Sequence, residues 1–367
     1  MLVVDETLNS FLFFGLVALV LLVVASSVLI LQTQSLLKEQ IVKAEEAARP
    51  GKIELIQLSS SCDDCFNIDA VVNSVKSAKV ELINEKQVDA SSEEGKELVK
   101  KYGIEKLPSL IVTGELDKVS LTNFVKQEDA LIFNGVKPPY EDANGNVVGK
   151  VSATILSAPS CELCTDFTLL INQLVQTGIV INKVETFEWS EKKDLIEKYA
   201  VKKAPAVLIS KDIDAYPEIA QNLKQMSTEL TDYYVLESNQ PYVNTSTGKV
   251  KGLLKLTLLT DDSCTECYDI EILKTVLYRL GLAISEEETF DVNSAEGKTL
   301  VKQHDIEAVP AGFLTGDLNE YVGFEQAWIN VGSVADDVYV FRKPEILSPE
   351  LVYKNLTTNE LVNTKEE

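Results

Sequence analysis

Three stretches of one form constrain this chain more than anything else in it. They read Ser61-Cys62-Asp63-Asp64-Cys65, Ser160-Cys161-Glu162-Leu163-Cys164 and Ser263-Cys264-Thr265-Glu266-Cys267, and they hold all six cysteines of the 367 residues. Two residues between cysteines let both sulfurs meet, either as a disulfide or as half of a metal site. The first cysteines fall at 62, 161 and 264, so the stretch recurs after 99 and 103 residues. A period of that size is a whole domain rather than a solenoid unit.

A zinc site needs four ligands, and each copy offers two thiolates. The chain has a single histidine, His304, so a metal would have to join two copies or two chains. No resident metal or other cofactor is expected. His304 has no cysteine or acid placed beside it by any motif, which sets aside Ser–His–Asp and Cys–His catalysis. It reads as a residue of a helix end.

Each copy opens on an apolar strand, Ile53–Leu58, Ala153–Leu156 or Leu254–Leu259, that runs through a polar turn into the cysteine pair. A helix follows with apolar residues at 3–4 spacing, as in Phe167, Leu170, Ile171 and Leu174. A second strand comes next (80–88, 179–187, 283–292), then a second helix, then a proline: Pro108, Pro205 or Pro310. In copies one and three this helix is nearly the same, Glu94-Gly95-Lys96 against Glu296-Gly297-Lys298. Each proline opens a further strand.

Strand, Cys-x-x-Cys, helix, strand, helix, proline, strand is an order that resembles the thioredoxin-like superfamily, in the tandem architecture of protein-disulfide-isomerase-like oxidoreductases. The resemblance covers residues 51 to about 345, and its cysteine-to-proline distances of 46, 44 and 46 residues match one another. The fold expected is therefore α/β: three tandem thioredoxin-like domains, each a central mixed sheet flanked by helices, behind one N-terminal transmembrane helix. Proline- and glycine-bearing links, Pro138-Pro139-Tyr140 to Gly145 and Gln240-Pro241-Tyr242 to Gly248, mark the joins. They divide the chain into domains at 51–145, 146–247 and 248–345, with a polar tail at 346–367.

The resemblance implies that Cys62, Cys161 and Cys264 are exposed nucleophiles at a helix start, where unpaired N–H groups and the helix dipole favour a thiolate. Cys65, Cys164 and Cys267 would then resolve the mixed disulfide. Pro108, Pro205 and Pro310 would be cis, would lie beside the cysteine pairs, and would present the preceding backbone to an extended substrate as a short strand addition. Two departures stand out. The inserts Asp-Asp, Glu-Leu and Thr-Glu are acidic, which opposes a thiolate but also suits a helix first turn. Thioredoxin's buried acid on the strand before the pair is replaced here by Ile56, Ile155 and Leu258.

The N-terminus adds a membrane question. Residues 1–10 carry Asp5 and Glu6, and no further charge occurs before Lys38. The apolar run across 11–32 is long enough, at roughly 30 Å as a helix, to span a hydrocarbon core. It lacks the basic flank and short core of a cleaved signal. Residues 33–50 read as a helical stalk ended by Arg49-Pro50-Gly51. Lys38, Lys43 and Arg49 after the span favour a cytoplasmic C-terminal part. Paired cysteines favour an oxidising side, and the sequons at Asn244 and Asn355 agree with the latter. An extracytoplasmic placement is expected.

A formal charge of −23 argues against nucleic acid, which needs clustered Lys and Arg. Phosphate-binding loops and aromatic–basic stripes are absent from the sequence. Trp189 and Trp328 read as packing residues. The function expected is a membrane-anchored thiol–disulfide oxidoreductase acting on protein clients and reset by an upstream redox partner. The alternative is a non-catalytic binding or scaffold protein whose cysteine pairs are permanent bridges.

Overall fold

The computed structural model describes residues 5–348 and 350–363. Residues up to Val147 form one compact unit and those from Val148 a second. The first unit holds one five-stranded sheet and the second holds two. All three sheets share one plan. Numbering each sheet's own strands along the chain, the spatial order is second, first, third, fifth, fourth.

The first unit shows why. Gly51–Ser59 alternates buried Ile53 and Leu55 with exposed Lys52 and Glu54, then buries Leu58. It is flanked on both sides, parallel to Val80–Asp89 at the sheet's edge and antiparallel to Ser109–Gly114 in its middle. A parallel pair needs a crossover, and the helix Asp69–Ser77 supplies it. That helix buries Val72 and Val75 against Ile53 and Leu55 on one face of the sheet. The helix Glu93–Tyr102 puts Tyr102 against Leu58 and Val88 on the other.

In the second unit, Val151–Ser157 and Leu253–Thr260 take the same place between a parallel and an antiparallel neighbour. All three of these strands extend a residue or more beyond the apolar runs read from sequence. The three domains are thus α/β, each a mixed sheet with helices beside it, as the sequence leads one to expect.

The glycine shared by copies one and three has a steric reason. A Cβ on Gly95 would lie 2.1 Å from the carbonyl oxygen of Asp89, and one on Gly297 would lie 2.1 Å from that of Asp291. Only a glycine lets this helix start seat against the end of the second strand. Ser92 and Ser294 cap the same turns, their hydroxyls accepting from the Gly95 and Gly297 amides at 3.0 and 2.9 Å.

Residues 346–367, expected as a polar tail, are not all tail. Val352–Asn355 pairs with Ala308–Val309, and Leu361–Asn363 pairs with Val352–Asn355. Short polar strands of this kind carry no alternation to find in sequence.

One helix, Asp5–Ala48, covers both the expected span at 11–32 and the expected stalk. Among the described residues no helix is long and apolar enough to cross a membrane. The side chains of residues 1–14 and of several others up to 35 lie outside the described residues, so the span at 11–32 rests on the sequence. Those side chains that are described, including Leu16, Leu19, Leu22 and Leu29, are exposed. At its end Arg49 pairs with Glu46 at 2.5 Å and with Glu115 at 2.6 Å. These contacts raise the guanidinium's already high pKa further and hold the Glu46 and Glu115 carboxyls down at about 2.

Candidate functional site

The sheet register brings each cysteine pair to its proline. Leu58, Leu156 and Leu259, each near the end of the first strand of its five-stranded sheet, pair with Ser109, Ala206 and Ala311, each the residue just after the proline. The loop leaving that strand and the peptide entering its neighbour therefore meet at one sheet edge. Cys62–Cys65, Cys161–Cys164 and Cys264–Cys267 are disulfides, each with Cα atoms 5.4 Å apart. The Leu107–Pro108, Ala204–Pro205 and Val309–Pro310 bonds are cis. In the third domain Cys267 Sγ lies 4.0 Å from the Val309 carbonyl oxygen. In the second, Cys161 and Cys164 pack with Ala204 in one apolar cluster. Nearby, Tyr268 donates its hydroxyl to the Pro310 carbonyl at 2.9 Å, and burial pushes its phenol pKa up.

Three expectations need correction. The cysteines do not start a helix. Each pair forms its own turn, with the Cys65 amide donating to the Cys62 carbonyl at 3.3 Å and that of Cys164 to Cys161 at 3.2 Å. The helices begin later, at Asp69, Phe167 and Glu271. Because the dipole's influence fades within the first turn, it does little for these sulfurs, and the acidic inserts are turn residues rather than helix starters.

The first cysteines are also less open than expected. Cys161 is only 8% exposed, while Cys62 and Cys264 are half-buried.

The third correction concerns the backbone before each proline, which the resemblance offers to a substrate strand. It is already paired with the chain's own. Leu107 faces Glu141, Ala204 faces Val243 and Val309 faces Lys354, all in antiparallel ladders. The strand that does this also reaches the cysteines. The Phe66 amide donates to the Pro139 carbonyl and the Tyr268 amide to the Val352 carbonyl, both at 2.8 Å. The two links that bear it, at Pro138-Pro139 and Gln240-Pro241, carry further cis bonds.

That strand supplies charge that sequence reasoning missed. Glu141, 7% exposed, accepts from the Ser60 hydroxyl at 2.6 Å, the Ser61 amide at 2.8 Å and the Ser61 hydroxyl at 2.9 Å. The Cys62 amide in turn donates to Ser60 Oγ at 3.1 Å. In the third domain the fully buried Asp261 carboxylate meets Lys354 Nζ at 2.7 Å and accepts from the Ser263 amide at 2.9 Å. Burial opposes its ionisation, yet Lys354 and Ser263 together hold its carboxyl below the usual range. Glu141 and Lys354 come from the later strand, whereas Asp261 directly follows Leu253–Thr260, three residues beyond Leu258. The recurring Tyr140-Glu141-Asp142, Tyr242-Val243-Asn244 and Tyr353-Lys354-Asn355 were the available signal.

Among the described residues no group of three or more His, Cys, Asp or Glu is placed to hold a metal ion. His304 caps the helix Ala295–Gln303 and packs its ring against Phe313.

No protein-family profile matches the chain, and no curated protein matches it. Among solved structures, a crystal form of ERdj5 shares 13% identity over 73% of this chain and 38% of that one, with a TM-score of 0.16. This chain therefore corresponds to 38% of the ERdj5 chain. A protein disulfide oxidoreductase from Aeropyrum pernix K1 shares 17% identity over 45% of this chain and 78% of that one, with a TM-score of 0.14. Human ERp44 shares 11% identity over 83% and 95%, with a TM-score of 0.15. At such scores these likenesses carry no argument; the resemblance to a thioredoxin-like fold rests on the chain's own strand order, register, cysteine pairs and prolines.

Proposed function

We propose that the chain is a thiol–disulfide exchange protein with three Cys-x-x-Cys centres, held at a membrane by the helix through residues 11–32. One observation carries the redox reading. Three times over, a two-residue-spaced disulfide sits at the sheet edge that also bears a cis proline. In the oxidising direction a client thiolate bonds to Cys62 Sγ as the Cys62–Cys65 bond breaks. A second client thiolate then displaces Cys62, leaving a client disulfide and a Cys62/Cys65 dithiol that has gained two electrons and two protons. The reducing direction is the reverse. An upstream redox partner resets the pair, and no cofactor is involved.

The test is a trap. Cys65→Ser, Cys164→Ser and Cys267→Ser should each leave a client joined to the remaining cysteine, visible as a band lost on reduction. Scrambled-ribonuclease or insulin turnover should fall in Cys62→Ser, Cys161→Ser and Cys264→Ser. No trapped client and no turnover would end this reading.

A permanent bridge is a second reading, favoured for the middle pair by the burial of Cys161. It requires a redox potential below about −300 mV there.

The anchor and its orientation belong to the same proposal. The uncharged run and the exposed leucines of the helix support a span, and three disulfides support an extracytoplasmic side. The chain should stay with membranes through a carbonate wash and leave them once residues 1–48 are removed. Release of the intact chain by carbonate would refute the anchor.

A further inference from the structure

The three sites share one contact built from three different chemistries. Ser59, Ser157 and Thr260 end the first strand of each five-stranded sheet alike, each donating its hydroxyl to the carbonyl of Val88, Phe187 or Phe290 on the neighbouring parallel strand. The next residue is Ser60, Ala158 or Asp261. Across from it stands the residue that faces the one before the proline: Glu141, Val243 or Lys354. The first pair is hydroxyl to carboxylate at 2.6 Å. The second is apolar, with Ala158 and Val243 in one cluster with Cys161. The third is carboxylate to ammonium at 2.7 Å. Both members change together from copy to copy, so each pair is satisfied in its own way.

We propose that this two-residue contact makes the three cysteine pairs chemically unequal, and that Glu141, Val243 and Lys354 are its positioning residues. The inference rests on the redox reading above. At the first site the carboxylate is held, among the described residues, by neutral donors, two of them on Ser61 beside Cys62, so no cation offsets its charge next to the cysteine pair. At the second there is no charge in the contact. At the third the carboxylate is neutralised by Lys354. A nearby anion raises the free energy of a thiolate, so losing a proton from Cys62 is harder than its fold alone would make it. The acidic inserts Asp63 and Asp64, Glu162, and Glu266 put anions at all three sites and do not cause the contrast.

The experiment reads thiolate reactivity within one chain. The full-length protein is reduced with a phosphine and treated with iodoacetamide at fixed pH, and mass spectrometry follows Cys62, Cys161 and Cys264 separately. Glu141→Gln keeps the shape and an acceptor but removes the charge. It should speed Cys62 alkylation about tenfold, the effect of one pKa unit while the thiol stays mostly protonated. Cys161 and Cys264 should be unchanged. Ser60→Ala/Glu141→Val, which installs the middle site's pair, should give the same gain, so the result does not depend on one variant's fold. The proposal is overturned if Cys62 in either variant reacts within roughly threefold of the parent, half of one pKa unit, or if all three cysteines speed up together. These rates are read on chemically reduced protein. An absence of trapped clients would therefore sink the redox reading and leave this contrast standing or falling by itself.

Discussion

Removing Lys354 should loosen the third site from within. The Asp261 side chain is fully buried and that of Lys354 is 19% exposed. Lys354→Met leaves the anion with its Ser263 hydrogen bonds and no counter-charge. Breaking a buried pair costs about 3–5 kcal/mol. The partial exposure of the lysine lets water reach the site, which brings the expected loss to about 2–3 kcal/mol. Because the chain has several domains, a single unfolding free energy is not well defined. The assay is hydrogen exchange at the amides of Ser263, which donates to the Asp261 carboxylate, and of Cys264, which donates to the Asp261 carbonyl at 2.9 Å. Their protection should fall roughly 30- to 150-fold if they open locally. Asp261→Asn/Lys354→Met should recover most of it, since the uncompensated charge is gone. The sign with pH is fixed by the lowered carboxyl pKa. The pair's stabilisation is complete above the ordinary carboxylate value of about 3.9 and is lost as pH falls through the lower folded value. Protection within threefold of the parent in Lys354→Met would refute the reasoning.

Three further outcomes follow from other contacts. Gly297→Ala and Gly95→Ala should each lower the urea midpoint of their own domain by the equivalent of about 1–3 kcal/mol, because the new methyl meets backbone that cannot swing away; unchanged midpoints would refute this. At the end of the long helix, Glu46 and Glu115 titrate at about 2, so their contribution is present above about 4.3 and is lost as pH falls towards 2. The Lys52 amide, which donates to Glu115 at 3.0 Å, should accordingly keep its protection factor at pH 4, and losing it there would contradict the assignment. Tyr268→Phe removes the hydroxyl that donates to the Pro310 carbonyl and should cost about 1 kcal/mol, measured as faster exchange in the third domain with the other two unaffected.

The parts of the fold that were legible in the sequence are those where burial leaves a pattern. The apolar runs at 53–58, 153–156 and 254–259 became the first strand of each five-stranded sheet, and the matched prolines marked where the next strand begins. What was hidden has a common cause. Asp63, Asp64, Glu162 and Glu266 look like helix-start residues because acids favour a first turn, but the side chains that accept from the first helical amides lie further on. Asn67 and Asp269 accept from the amides of Asp69 and Glu271, and Asp166 accepts from that of Thr168. Tyr140–Asp142 and Tyr242–Asn244 were read as links because their prolines and glycines outweigh three residues of strand, and Val352–Asn355 was read as part of a polar tail. A search for a buried acid along Ile56, Ile155 and Leu258 could not find one arriving from a strand some eighty residues later, since that pairing is purely tertiary.

The distance along the chain between the halves of each polar contact also sets an order of events. Ser60 waits for Glu141, 81 residues on, and Asp261 for Lys354, 93 residues on. During synthesis the first and third cysteine pairs emerge before the strand residue that will polarise each of them has been made. A young site is a bare Cys-x-x-Cys, and only the finished chain gives it a character of its own. A fragment cut at the end of the five-stranded sheet would keep that juvenile chemistry permanently.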